Sequence, residues 1–239
     1  MILVTSFSRR GYDQYGKKML ESAVFNFPGR ILVYYEELPD LVHEKIEYRP
    51  LLEVYGCKNF LDYCSRKDIF SGKTPFGYDY NHDAMKFSKK VFAQFDAFKE
   101  GGKVFWFDAD SVIEKPLTED FLNSLFDGEA VVFPGRFGFH TETGFLGFDT
   151  EHKDFPTFLE AYKKVYQKGL IFTLPKWHDC EAFDWARMES GVHGLNLSPD
   201  WHVGMPLDVI PTTAIGEYLT HYKGNKKWKQ KDSAQNSLQ

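Results

Sequence analysis

The sequence predicts an α/β fold built on a mostly parallel sheet, and three features predict it. The chain opens β-α-β: an apolar run at Ile2-Leu3-Val4, helical periodicity from Asp13 to Phe25, then Ile31 to Tyr35 after the Pro28-Gly29 turn. The same order returns later, where an amphipathic helix over about His82 to Lys99 ends at Gly101-Gly102 and the strand Val104-Phe105-Trp106-Phe107 follows. Finally, 239 residues run on with no internal repeat and no low-complexity linker. A unit of that length buries roughly 70–75% of its unfolded surface and needs no disulfide or metal to fold.

The remaining elements follow in order. Glu36 to Asn81 carries Pro39, Pro50 and Pro75 between short apolar clusters and reads as short helices and loops. Thr118 is the expected N-cap of a short helix bearing Phe121, Leu122 and Leu125. Strands are expected at Ala130 to Phe133 and at Phe145 to Phe148, with a glycine-rich segment from Gly135 to His140 between them. Helices fill Asp154 to Gln167, with Pro156 in the first turn, and about Asp179 to Glu189. A short strand, Glu217 to Thr220, precedes a basic stretch. The expected organisation is one domain over residues 1–228 and a polar, frayed tail over 229–239.

Composition narrows the function. Lys and Arg number 29 against 34 Asp and Glu, a net charge of −5, which argues against nucleic-acid binding or adhesion to anionic membranes. No window approaches the roughly 18 apolar residues of a transmembrane segment. The N-terminus lacks the basic flank of a signal peptide, and three cysteines form no CxxC pair, so a cytoplasmic location is expected. Aromatics reach 17% of the chain. Most belong in a Phe-rich core, and a few Tyr or Trp would serve as flat platforms for carbohydrate.

Two motifs carry chemistry. Asp108-Ala109-Asp110 directly follows four apolar residues, a context expected about 0.05 times by chance in a chain of this kind. Residues two apart in extended chain point the same way, so both carboxylates face one spot just past a buried strand. Open α/β sheets place ligands there, and two hard oxygen ligands suit Mg²⁺ or Mn²⁺ bound together with a diphosphate. The second motif is His221-x-x-Gly224-x-x-Lys227. A histidine as third ligand moves the preference toward Mn²⁺, Gly224 lets the backbone approach a phosphate, and Lys227 supplies a point charge. The plain alternative is a solvated basic tail, since Lys223, Lys226, Lys229 and Lys231 crowd the same stretch.

Val104 to Asp110 resembles the strand and DxD motif of GT-A fold glycosyltransferases. His221-x-x-Gly224-x-x-Lys227 is similar to the C-terminal motif of their glycogenin-like and lipopolysaccharide-galactosyltransferase-like branch (glycosyltransferase family 8). Asp83 to Lys90 resembles the basic helix before DxD, Glu142 to Phe148 the segment behind the sugar pocket, and Trp177 to Glu181 the acidic segment beside the anomeric carbon. The resemblance runs from Val4 to Trp228 and leaves 36–81 unmatched. It implies a metal held by Asp108, Asp110 and His221, and a nucleoside-diphosphate sugar donor, UDP-linked by preference. It places Thr5, Ser6, Asp83, Lys86, Lys90, Asp108, Gly224 and Lys227 around that donor, with a glycan or other hydroxyl compound as acceptor. Asp179 is the leading catalytic carboxylate, followed by Glu181 and Glu142. The branch usually carries Asp-Gln-Asp where this chain has Asp179-Cys180-Glu181, which leaves retention and inversion of configuration both open.

Two other readings stand beside it. Asp108-Ala109-Asp110-Ser111-Val112 also fits the nucleophile motif of haloacid-dehalogenase-type phosphatases, although about a hundred residues precede it and no later acidic pair supplies further ligands. A GT-A-like domain that binds a sugar nucleotide or glycan without turnover is the other.

Overall fold

A computed structural model describes residues 1–198 and 208–222. Strand β1 (Ile2–Phe7) is buried along nearly all its length. The helix expected over Asp13 to Phe25 is not uniform: a turn at Arg9–Gly11 and a π-helical turn at Tyr12–Gly16 lead into regular α1, Lys17–Asn26. The widened turn packs on Phe7, whose ring lies 5.4 Å from Tyr12 and would stand 3.0 Å from any Cβ at Gly16.

Next come β2 (Arg30–Tyr35) and β3 (Ile46–Pro50), the latter inside the stretch expected to hold only helices and loops. β3 escapes sequence reading because it is an edge strand that is nowhere fully buried. Its polar positions are committed to ion pairs instead: Arg49 reaches Glu47, Asp96 and Glu100 at 2.6–3.2 Å. That same stretch also forms α2 (Cys57–Cys64) and a small β-ribbon of Lys73–Thr74 against Gly77–Tyr78. The rest of the chain gives α3 (Ala84–Ala97), β4 (Lys103–Phe107), β5 (Ser111–Ile113) and α4 (Glu119–Ser124), the last capped by Thr118 as expected. After them lie β6 (Val131–Phe133), β7 (Phe145–Asp149), α5 (Phe155–Gln167), α6 (Asp179–Ser190), β8 (Leu195–Asn196) and β9 (Leu219–His221).

Among the described residues seven strands form one sheet in the order β8-β6-β7-β4-β1-β2-β3, and β7 alone of these runs antiparallel to its neighbours. The expected α/β architecture with a mostly parallel sheet is what the chain builds. Alternation sorts side chains to two cores. Val4, Tyr34, Trp106 and Phe148 pack under α2, α3, α5 and α6, while Leu3, Val33, Phe105 and Phe107 pack under α1 and α4. Most of the Phe content is spent here, in edge-to-face contacts such as Phe148–Phe183 and Phe95–Tyr162. From β1 the chain steps outward to β2 and β3, then returns to β4 on the other side of β1. The crevice of such a sheet opens at that reversal, past the C-terminal ends of β1 and β4.

Candidate active site

A cavity of about 770 Å³ occupies this crevice. Ser6, Phe7 and Ser8 line it from β1, Asp108 and Asp110 from β4, Glu142 and Thr143 from the approach to β7, and His178 and Asp179 from the start of α6. Ladder bonding continues past the end of β4, because the Asp108 N–H donates to Gly144 O at 2.8 Å. The chain then turns, Ser111 N–H donating to Asp108 O at 3.0 Å, and Asp110 is left buried. β9 pairs antiparallel with β5, with His221 opposite Ser111, and Tyr222 N–H donates to Asp110 O at 2.9 Å. That pairing, 111 residues away in sequence, brings the histidine to the carboxylates.

Asp108, Asp110 and His221 each offer a ligand atom within 4.8 Å of the others. His221 Nε2 lies 3.5 Å from Asp110 and Nδ1 lies 3.4 Å from Asp208. Burial opposes a charge on the imidazole, yet these two carboxylates outweigh it and raise the pKa to about 10. Gly144 makes room for the ring: a Cβ there would stand 2.9 Å from His221 Cε1. Two carboxylates and an imidazole fit a divalent ion of the Mn²⁺ type. With Nδ1 facing Asp208, Nε2 is the nitrogen presented to that ion, the carboxylate–histidine arrangement common at metal sites.

Lys90 is the hub of the neighbouring region. Its ammonium lies 2.9 Å from Asp108 Oδ1, 2.9 Å from Asp179 Oδ2, and donates to Thr143 O. Trp106 Nε1 also donates to Asp108 Oδ1, at 2.7 Å. Burial works against the Lys90 charge, but Asp108 and Asp179 more than offset it and raise its pKa. Burial likewise works against a charged Asp179, and Lys90 with the Thr143 hydroxyl at 2.6 Å holds its carboxyl below the usual range. The adjacent Cys180 thiol is pushed up by burial and by Asp179, so it stays neutral.

The cavity wall beyond is built from closed pairs. Arg136 reaches Glu142 at 3.2 Å and donates to the carbonyls of His140 and Thr141. His140 meets Glu181 at 2.8 Å and Asp184 at 3.4 Å, and Asp184 accepts from both the N–H and the hydroxyl of Thr141. His178 caps α6 by accepting from Glu181 N–H at 3.1 Å, and burial lowers its pKa to about 4.

The sequence-predicted residues are thus distributed unevenly. Ser6, Lys86, Lys90, Asp108, Asp110, Glu142, Asp179 and His221 line the cavity, whereas Thr5, Asp83 and Glu181 do not. Thr5 is fully buried. Asp83 spends one oxygen as the N-cap of α3, accepting from Lys86 N–H, and the other on the Tyr78 hydroxyl. Gly224, Lys227 and the tail over 229–239 lie outside the described residues. Sequence reading missed Trp106, Thr143, Arg136, His140 and Asp208 as site residues. Only Trp106 left a signal, since it precedes Asp108 by two in an extended strand. Among the described residues no helix is long and apolar enough to cross a membrane.

No family model matches the sequence, and no curated protein does. In overall chain path the protein is similar to the galactosyltransferase LgtC solved with donor and acceptor sugar analogs, at 11% identity over 98% of this chain and 94% of that one, TM-score 0.49. It is similar to mouse xyloside xylosyltransferase 1 at 10% identity over 79% and 82% of the two chains, TM-score 0.49. The bifunctional glycosyltransferase WbbM matches at 12% identity over 94% of this chain and 46% of its own, TM-score 0.49. Identities this low leave the assignment of function to the residues themselves.

Proposed function

We propose that the chain is a metal-dependent glycosyltransferase of the GT-A type, moving a sugar from a nucleoside-diphosphate donor, UDP-linked by preference, to a hydroxyl acceptor such as a glycan. The observation that carries this reading is the convergence of Asp108, Asp110 and His221 on one point at the reversal of strand order. A divalent ion bound there supplies Lewis-acid stabilisation of the diphosphate as negative charge grows on it.

The chain's own groups account for the rest. Ser6, near the C-terminal end of β1, and Ser8, just past it, offer hydroxyls to the donor's polar groups. As the bond from anomeric carbon to phosphate oxygen breaks, the sugar takes on oxocarbenium character. Asp179 is held ionised, so it can stabilise that positive charge or accept the acceptor's proton, but it cannot donate one. Lys90 fixes Asp179 and Asp108 at one spacing, which orients the carboxylate before substrate arrives. Asp179, held ionised inside the cavity, is the leading reacting carboxylate, and Glu181 beside His140 and Glu142 paired with Arg136 come after it.

The test is a thermal-shift series with UDP, GDP, CDP and ADP and their sugar conjugates, with and without Mn²⁺. A ligand at a hundred times its Kd adds about 2.7 kcal/mol, several degrees in Tm. A shift that needs both Mn²⁺ and one nucleotide supports the reading. Its absence with every nucleotide, or release of phosphate from a simple phosphoester, overturns it.

A further inference from the structure

A second cavity, of about 690 Å³, shares no lining residue with the first. The two open on different faces of α3: Lys90 faces the active-site cavity, and Phe92, about 200° round the helix, lies in the second. Tyr55, Asn59 and Tyr63 line it from α2 and the turn before it, and Gln167, Lys168 and Phe172 from the end of α5 and the turn beyond.

Three features define what this groove can hold. Its aromatic faces are open on one side only: Phe60 and Phe172 are stacked on each other at 5.8 Å, and Tyr63 is stacked on Phe70 at 5.6 Å. Yet Tyr63 stays 46% exposed and Tyr55 82% exposed. An open ring face with polar groups at its rim suits the apolar side of a sugar ring. The amide side chains of Asn59 and Gln167 have no hydrogen-bond partner among the described residues, and they supply donors and acceptors at the rim. Among the described residues no carboxylate lines the groove and Lys168 is the one cation, so they offer no feature selective for a charged ligand.

We infer that this groove is a binding site for a neutral oligosaccharide, separate from the site of transfer. Open tyrosine faces beside unpaired amides are the chemistry that recognises a hydroxyl-rich ring with an apolar face. The inference does not depend on the transfer reaction.

The test is saturation-transfer NMR on the full chain, without metal or nucleotide, using maltohexaose, cellohexaose, mannohexaose and a β-linked galactohexaose as probes. At least one should bind. The variant Tyr55→Ala, which removes a ring that is 82% exposed, should weaken it by about tenfold or more at unchanged Tm, while Asp110→Asn leaves it alone. Three results overturn the proposal. One is that none of the four probes binds; another is that binding is lost in Asp110→Asn but survives in the tyrosine variant. The third is a concentration-dependent dimer in sedimentation that the tyrosine variant dissolves, which would assign the groove to a second copy of the chain.

Discussion

The two ends of the active-site cavity are built on opposite electrostatic plans. At the α6 end charged groups pair with one another: Arg136 with Glu142 at 3.2 Å and Asp184 with Arg187 at 3.1 Å, while Glu181 lies 2.8 Å from the His140 ring. At the β4 end His221 stands farther from its carboxylates, 3.5 Å from Asp110 and 3.4 Å from Asp208. Paired charges make a wall, and two carboxylates and an imidazole gathered on one point make the donor set of a divalent ion. Lys90 stands between the two, bonded to one carboxylate of each.

The sharpest way to break this contrast is to remove the hub. Lys90→Met should destabilise the protein by about 3–5 kcal/mol, since Asp108 and Asp179 lose their shared cation and Asp179 is left buried without it. Urea unfolding measures this. A loss under 1 kcal/mol would mean that the two carboxylates are solvated and that the ends are not coupled.

A second prediction concerns the closed end alone. His178 is neutral in the fold with a pKa near 4, against about 6.5 in the unfolded chain. Between those values the unfolded state binds more protons, so stability falls as pH drops through this window and is constant on either side of it. The contribution is about 3 kcal/mol across the window. His178→Asn keeps an N-cap without the titration. It should flatten the Tm-against-pH curve between pH 4 and 6.5, and a curve parallel to that of the unsubstituted chain would show that other groups govern the acid limb.

What was legible in the sequence follows the same divide. Asp108 and Asp110 could be read because a buried strand gives a continuous apolar run and the ligands follow at its end. His221 could be read only as part of a spaced motif, and its meeting with Asp110 depends on β5 and β9, a pairing with no local signature. Asp208 approaches through the same fold-back and left no sign at all. The closed end was the least legible. Arg136, His140 and Asp184 look like ordinary surface charges in a linear chain, and their pairing appears only when the loop from Gly135 to Thr141 lies against α6. β3 was hidden for a related reason, its polar residues answering to Asp96 and Glu100 on distant elements.

At the open end, Asp110→Asn should weaken Mn²⁺-dependent nucleotide binding about a hundredfold, about 2.7 kcal/mol. Calorimetric titration with Mn²⁺ present measures it, and unchanged affinity would remove Asp110 from the metal site.

The smallest effect per step is the most diagnostic. Without metal, His221 is held protonated by Asp110 and Asp208 up to about pH 10. A metal ion can take Nε2 only after that proton leaves, so ion and proton compete for one nitrogen. Apparent Mn²⁺ affinity, read by electron paramagnetic resonance, should therefore rise about tenfold per pH unit between pH 6.5 and 9, about 1.4 kcal/mol each. The sign is fixed by the raised pKa: a histidine with its ordinary value would already have shed its proton, and the curve would be flat above pH 7.5. Asp208→Asn removes one of the two carboxylates that hold the proton, so the plateau should begin at lower pH while Asp110 remains as ligand. An affinity independent of pH in both proteins would mean that His221 does not ligate, and the open end would then be no less closed than its neighbour.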